Sequence, residues 1–197
     1  MGRPSMEGVR RRQLIEATLR AIHEEGMQRT TLSRIGKRAG ISPGLVAHYF
    51  EDKAGLMEAT MRHLGRELGR AVSRRQAAAT TPRERVLAVV AGNFAPDQFA
   101  PEGVSAWLSF WATVNHDPGL ARIQRVISAR LVSNLRHALR PLVPAERADF
   151  IARGLSTLID GLWLRCALAE AGVDRETALA LARDYLDIQL ERSSPAS

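Results

Sequence analysis

Basic side chains are concentrated in the first part of this 197-residue chain. Residues 1–75 carry 15 Lys and Arg against 8 Asp and Glu, whereas residues 76–197 carry 13 of each kind. The whole net charge of +7 therefore lies in the first part. Clustered cations of this kind neutralise phosphates, so the distribution predicts an N-terminal element that meets a polyanion and a balanced body with another task.

A helix-turn-helix pattern lies within this basic region. Thr31 can cap a short helix that ends near Ala39, and Gly40 permits a tight turn. Ser42-Pro43 then begins a second helix of about eight residues. Such a motif places its second helix in the major groove of DNA, while the amino end of its first helix offers donors to a phosphate. A plain three-helix bundle with solubilising arginines is the alternative.

The balanced part of the chain holds all three tryptophans. Trp107, Phe110 and Trp111 have i, i+3, i+4 spacing and share one helical face. Ring faces are what a quaternary ammonium ligand requires, because such a cation donates no ordinary hydrogen bonds. The same spacing is also typical of a packed core, so both interpretations stay open here.

A lone acidic residue stands in the apolar stretch around Trp163. Asp160 could supply the negative charge that a cationic ligand needs, and Trp163 would be a further ring face. It could equally form an ion pair with Arg130 or Arg165.

Other chemistry finds little support. The five histidines have no metal-ligand spacing, and the single cysteine, Cys166, excludes an internal disulfide and favours a reducing cytoplasm. No Gly-rich phosphate loop, nucleophile motif or apolar run long enough for a membrane span occurs. We therefore expect a cytoplasmic protein without catalytic residues, metal or cofactor, and not an enzyme. A non-specific architectural DNA binder would leave the aromatic-rich part without a role.

Apolar periodicity is helical almost everywhere, which predicts an all-α fold of about nine helices. A three-helix DNA-binding domain, with the start of a linking helix, is expected at residues 8–68. A helical domain for ligand binding and dimerisation is expected at residues 69–197. The predicted helices cover residues 10–25, 32–39, 43–50, 53–76, 82–94, 102–115, 118–139, 145–171 and 174–191.

Residues 35–59, IGKRAGISPGLVAHYFEDKAGLMEA, resemble the helix-turn-helix of TetR-family transcriptional repressors. The aromatic end of the third helix and the lysine three residues later, Lys53, carry the resemblance. It implies a homodimer that pairs through its last two helices, binds a palindromic operator in double-stranded DNA and responds to a small molecule. Gly36 departs from the family's usual alanine, and Ala47 stands where many members have a tyrosine.

Within this resemblance the DNA contacts can be assigned by chemistry. Phosphate contacts are expected from side chains with hydroxyl or cationic groups, which are Thr31, Tyr49 and Lys53, with His48 as a further candidate. Base-edge contacts are expected from small or apolar residues that suit thymine methyl groups, which are Pro43, Gly44, Leu45 and Ala47. Arg10, Arg11 and Arg12, with Arg3 upstream, are expected at the DNA backbone or in the minor groove.

Four further stretches, at residues 6–19, 48–64, 106–124 and 158–168, resemble the choline-responsive members of that family that repress glycine betaine synthesis and choline uptake. This resemblance implies choline, betaine aldehyde or a similar quaternary ammonium effector. It also makes Trp107, Phe110, Trp111 and Trp163, with Asp160, the expected effector contacts. A repressor of another pathway, such as efflux of a cationic or aromatic compound, is the alternative.

The last two predicted helices, at residues 145–171 and 174–191, have long apolar faces that we expect to be buried. Dimerisation through a four-helix interface is the expected use, and capping of their own domain is the alternative. The residues concerned are Phe150, Leu155, Leu158, Leu162, Leu181, Tyr185 and Ile188, with Gly154 and Gly161 expected to allow close approach.

Overall fold

The computed structural model describes residues 6–168 and 173–193. Within these ranges it contains nine α-helices, a 3-10 turn at Pro96–Phe99 and no strand, which confirms the all-α prediction. None of the helices in the described ranges is long and apolar enough to span a bilayer. The helices are α1 (Met6–Glu25), α2 (Leu32–Ala39), α3 (Pro43–Phe50), α4 (Lys53–Ala78), α5 (Pro82–Asn93), α6 (Pro101–Thr113), α7 (Pro118–Leu139), α8 (Ala145–Ala167) and α9 (Arg175–Glu191).

Most helix ends agree with the sequence to within two residues, because local capping fixes them. At α5, Thr81 and Glu84 form a reciprocal capping box, and at α9 the Asp174 carboxylate accepts from the Thr177 N–H. The largest difference is at α1, which begins four residues earlier than expected. The predicted end of α8 at residue 171 and the candidate Arg3 lie outside the described residues.

The chain divides into two compact units. The N-terminal unit comprises Met1–Arg66 and Ala100–Arg125, and the C-terminal unit comprises Glu67–Phe99 and Val126–Ser197. By packing, α6 thus belongs with the helix-turn-helix region, although it follows α5 in sequence. The expected domain division at residues 68 and 69 stays a prediction.

The core of the N-terminal unit is built from the apolar stripes of its helices. α1 packs on α2 and α6, and α2 packs on α3. Fully buried side chains from these helices and from the start of α4 form the centre, and they are Leu14, Ile35, Leu56 and Phe110. This core fixes the helix-turn-helix against α1 and α6.

The C-terminal unit is held by packing of α5, α8 and α9 and by an ion pair at its surface. The Arg83 guanidinium donates to both carboxylate oxygens of Asp187, at 2.7 and 2.8 Å, and so joins α5 to α9. In the same unit Gly92 lies directly against Val72: a Cβ at position 92 would stand 2.5 Å from Val72 Cγ2 and 2.7 Å from its Cα. The absence of a side chain at position 92 allows α4 and α5 to approach closely.

We expect Gly92→Ala to lower the free energy of unfolding by about 1–3 kcal/mol, because the new methyl group has no space beside Val72. Gly103→Ala is the matched control. No atom lies within 4 Å of a Cβ built there, and the better helix propensity of alanine should leave stability unchanged or raised by up to about 1 kcal/mol. Thermal unfolding followed by circular dichroism measures both, and a Gly92→Ala protein as stable as the parent would contradict the close approach.

Candidate nucleic-acid interface and effector site

The turn between α2 and α3 is closed by local hydrogen bonds. Thr31 accepts from the Arg34 N–H at the start of α2, and Ser42 accepts from the Leu45 N–H at the start of α3. Gly40 ends α2 with φ of +65°, a conformation that favours glycine. The cap residues Thr31 and Ser42, together with Gly40, therefore set the angle between α2 and α3.

Gly36 has a packing role beneath this turn. A Cβ at position 36 would lie 2.6 Å from the Ile41 carbonyl oxygen and 3.0 Å from Val46 Cγ2. The Ile41 N–H donates to the Gly36 carbonyl at 2.8 Å. The departure from alanine noted in the sequence therefore coincides with a close approach of the turn to α2.

The exposed face of α3 carries no formal charge at neutral pH. Val46 and Phe50 are buried, whereas Pro43, Gly44, Leu45 and His48 are exposed and Ala47 and Tyr49 are half-buried. The rings of His48 and Tyr49 lie side by side, with their centroids 5.6 Å apart. The structure thus brings the expected base-contacting residues together on one surface. Small and apolar groups there suit thymine methyl contacts.

Arg11 contacts the carboxyl end of α3. Its guanidinium donates to the Tyr49 carbonyl oxygen at 2.9 Å and lies 4.7 Å from the centre of the Phe50 ring. A cation at the last turn of a helix also interacts favourably with the helix dipole. Neighbouring Arg10 donates instead to Gln13 on the helix surface, at 3.0 Å. Of the two, only Arg11 is tied to the recognition helix.

The link from α3 to α4 is a tight and strained turn. Glu51 has φ of +60° and ψ of −61°, and the Asp52 N–H donates across it to the Phe50 carbonyl at 2.6 Å. A non-glycine residue in such a conformation costs on the order of 1–3 kcal/mol. Asp52 then caps α4 by accepting from the Gly55 N–H at 2.7 Å, and a Cβ at position 55 would lie 2.5 Å from the Phe50 carbonyl oxygen.

Lys53, the expected phosphate contact, is anchored within the protein. Its ammonium donates to the carbonyls of Met27 at 2.8 Å and Gln28 at 3.2 Å, and so ties the start of α4 to the turn that follows α1. Partial desolvation lowers the pKa of this lysine. An ammonium has three N–H donors, so one remains for a phosphate, and the phosphate contact stays a prediction.

Two arginines of α2 are committed to ion pairs with α1. Arg38 pairs with Glu24 at 2.5 Å and with Glu25 at 2.6 Å, while Arg34 pairs with Glu25 at 2.5 Å. Hydrogen bonds from Arg38 and then Arg34 hold the pKa of Glu25 below its usual range. These basic residues therefore stabilise the packing of α2 on α1.

The expected effector residues fall in both compact units. In the N-terminal unit α6 carries Trp107, Phe110 and Trp111, of which the first two are buried and the third is half-buried. The Trp107 and Trp111 rings lie 6.2 Å apart and are tilted by 44°. α6 also contacts α1 and the turn that follows α1: His23 Nδ1 and Ser105 Oγ are 2.8 Å apart, and Thr113 Oγ1 lies 4.0 Å from Met27 Sδ.

In the C-terminal unit Trp163 belongs to a row of aromatic rings. It stacks on Phe99 at 5.7 Å, and Phe99 stacks on Phe94 at 6.4 Å. Phe94 and Phe99 were not expected at this site, because Phe94 ends α5, Phe99 ends the 3-10 turn and neither shares a helix with Trp163. A Phe-x-x-x-x-Phe pair around Pro96 was the available signal.

Asp160 lies one turn before Trp163 on α8 and forms no ion pair within the described residues. Neither of the expected partners, Arg130 and Arg165, pairs with it there. Asp160 is exposed at the protein surface, and partial desolvation by the surrounding protein raises its pKa. A partly desolvated carboxylate without a cationic partner is a suitable counter-charge for a cationic ligand.

The last two helices keep exposed apolar groups. Phe150 is 62% exposed, Leu181 45% and Ile188 39%. The other candidates face their own unit: Leu155 and Leu162 are buried, and Leu158 and Tyr185 are half-buried. Gly154 accommodates the Tyr185 hydroxyl of the same chain, since a Cβ there would lie 2.0 Å from it, whereas Gly161 faces open space.

Most of the chain matches known protein families. Residues 14–69 match the family described as bacterial regulatory proteins, tetR family, and residues 82–191 match the C-terminal domain of BetI-type transcriptional repressors. An HTH-type transcriptional regulator BetI from Burkholderia mallei is 50% identical over 188 residues, covering 95% of this chain and 96% of its own. The regulator of the same name from Ectopseudomonas mendocina is 46% identical over 195 residues, covering 98% of this chain and all of its own.

Solved structures support the same assignment. A protein from Pseudomonas aeruginosa PAO1, described as a transcriptional regulator, superposes with a TM-score of 0.78 at 26% identity over 94% of each chain. Another from Saccharomonospora viridis, crystallised in complex with choline, has the same fold, with a TM-score of 0.74 at 21% identity over 90% of this chain and 95% of its own. The chain therefore belongs to the TetR family of DNA-binding transcriptional regulators and has a BetI-type C-terminal domain.

Proposed function

We propose that the protein is a dimeric cytoplasmic repressor of genes for glycine betaine synthesis and choline uptake, and that choline or a metabolite derived from it weakens its binding to a palindromic operator. The observation that carries the proposal is the match of residues 82–191 to the BetI-type C-terminal domain. Relatives of that name are similar over almost the whole chain, so both halves support the same function.

On the DNA side, α3 enters the major groove with its uncharged face towards the bases. Pro43, Gly44, Leu45 and Ala47 contact base edges, while Thr31, His48, Tyr49 and Lys53 contact phosphates. Arg10 lies at the DNA backbone. Arg11 contributes at least indirectly, because it holds the end of α3.

On the effector side, Asp160 supplies the negative charge and Trp163 a ring face. The choline complex of the Saccharomonospora viridis protein supports this ligand class for the fold, and the Asp160 carboxylate, which has no ion-pair partner among the described residues, supports it for this chain. Trp107, Phe110 and Trp111 are the further ring faces that we propose. They lie on α6, and a ligand that displaced α6 would act on α1 through the Ser105 contact and on the turn after α1 through the Thr113 contact.

Dimerisation uses the outer face of α8 and α9, as TetR-family regulators act as dimers. Phe150, Leu181 and Ile188 leave apolar surface on this face, and burying it in a partner is favourable by roughly 25 cal/mol per Å². A two-fold dimer matches a palindromic operator, because each α3 then reads one half-site.

A gel shift on the DNA upstream of the protein's own gene tests the function. We expect a specific complex that resists competitor DNA and weakens when choline or betaine aldehyde is added. Specific binding that ignores both compounds but responds to an aromatic or other cationic compound would point to a repressor of a different pathway. Failure to bind any upstream sequence specifically would contradict the proposal as a whole.

Asp160→Asn should separate ligand binding from stability. The variant removes the charge that attracts a quaternary ammonium, so we expect choline affinity to fall at least tenfold, about 1.4 kcal/mol. Because the pKa of Asp160 is raised in the folded protein, its ionisation disfavours folding above that pKa, and the neutral amide should keep or raise the melting temperature at pH 7.

Isothermal titration with choline and thermal unfolding measure these two effects. In the parent protein, choline affinity should also fall as the pH decreases towards the raised pKa of Asp160, and Asp160→Asn should lack this dependence. Unchanged choline affinity in the variant would exclude Asp160 from the effector site.

Leu181→Glu should convert the dimer to a monomer at micromolar concentration, because it places a charge in the proposed apolar interface. Val126→Glu is the matched control, since Val126 is 55% exposed but lies on α7. Sedimentation velocity distinguishes the two states. A Leu181→Glu protein that remains dimeric, or a parent protein that is already monomeric, would contradict the proposed interface.

A further inference from the structure

The cations of α2 differ in whether they have partners within the protein. Arg34 and Arg38 are four residues apart and pair with Glu24 and Glu25 of α1. Lys37 is exposed, and within the described residues it forms no ion pair and no hydrogen bond. The ammonium of Lys37 therefore has no counter-ion there, whereas the two arginines are matched by two carboxylates.

Gly36 shows which side of α2 faces the turn and α3. A Cβ at position 36 would touch the Ile41 carbonyl oxygen and Val46 of α3. Successive residues of an α-helix are rotated by about 100°. Lys37 is thus rotated by about 100° from the side that faces α3, whereas Arg38 is rotated by about 200° and lies nearly opposite that side.

We propose that Lys37 binds a DNA phosphate and is the cation of α2 that contributes to the salt dependence of DNA binding. This inference rests on the assignment of α3 to the major groove. With α3 in the groove, α2 crosses the phosphate backbone beside it, and the flank of α2 next to α3 meets that backbone. A lysine binds phosphate as a mobile point charge and needs no fixed geometry, which fits an exposed side chain without a partner.

The proposal separates the structural cations of the helix-turn-helix from a binding cation. Arg38 makes two charged contacts that hold α2 on α1, so its removal should alter folding more than DNA affinity. Lys37 makes no contact that folding requires. Its removal should leave stability unchanged and appear only in DNA binding.

The test is the salt dependence of binding to a fluorescein-labelled 30-base-pair duplex of mixed sequence, measured by fluorescence anisotropy between about 50 and 300 mM KCl. Such binding depends on phosphates and needs no knowledge of the operator. Each lost phosphate contact makes the slope of log K against log salt shallower by about 0.9. Lys37→Ala should therefore make it shallower by about 1.8 in a dimer, because each protomer loses one contact. Lys37→Arg should keep the parent slope, and both Lys37 variants should have the melting temperature of the parent protein.

Arg34→Ala is the matched control, because it removes one charge from the same helix but one that is already paired with Glu25. It should change the slope much less than Lys37→Ala. The proposal is overturned if Lys37→Ala keeps the parent slope, or if Arg34→Ala lowers it as much. A parent protein that does not bind the duplex at all would instead contradict the proposed function.

Discussion

The position of the recognition helix depends on how its carboxyl end is held. Arg11 donates to the Tyr49 carbonyl at the end of α3 and stacks on Phe50, and Glu51 turns the chain within a single strained residue. Asp52 begins α4 immediately afterwards, and Gly55 lets α4 approach the Phe50 carbonyl. Because the link between α3 and α4 is short and closely packed, a movement of the start of α4 must also move α3. The DNA-reading surface is therefore coupled to the long helix that leads out of the motif.

This arrangement changes the meaning of the excess positive charge. Part of it serves the protein itself, because Arg34 and Arg38 form ion pairs with α1. Counting cations alone overestimates the number that can reach phosphates. In the proposed function, sequence recognition is left to the uncharged face of α3, and the remaining cations supply affinity that depends on salt.

Local features of the fold could be predicted from the sequence, and long-range contacts could not. Ser42 and Gly40 mark helix ends because a cap is formed with residues only a few positions away. Arg11 and Tyr49 are 38 positions apart, and a basic residue in α1 gave no signal that its partner would be a carbonyl of α3. The ring row at Trp163 was missed for the same reason, since Phe99 comes from a distant turn.

In the proposed function, effector binding and DNA binding oppose each other in one molecule. Thermodynamic linkage requires that if choline weakens DNA binding by some factor, DNA weakens choline binding by the same factor. The most direct measurement is the dissociation constant of choline, from tryptophan fluorescence, for the free protein and for the protein saturated with its operator duplex. We expect choline to bind the DNA complex more weakly than the free protein, by the same factor by which choline weakens DNA binding. Equal dissociation constants of choline in the two states would contradict the proposed function.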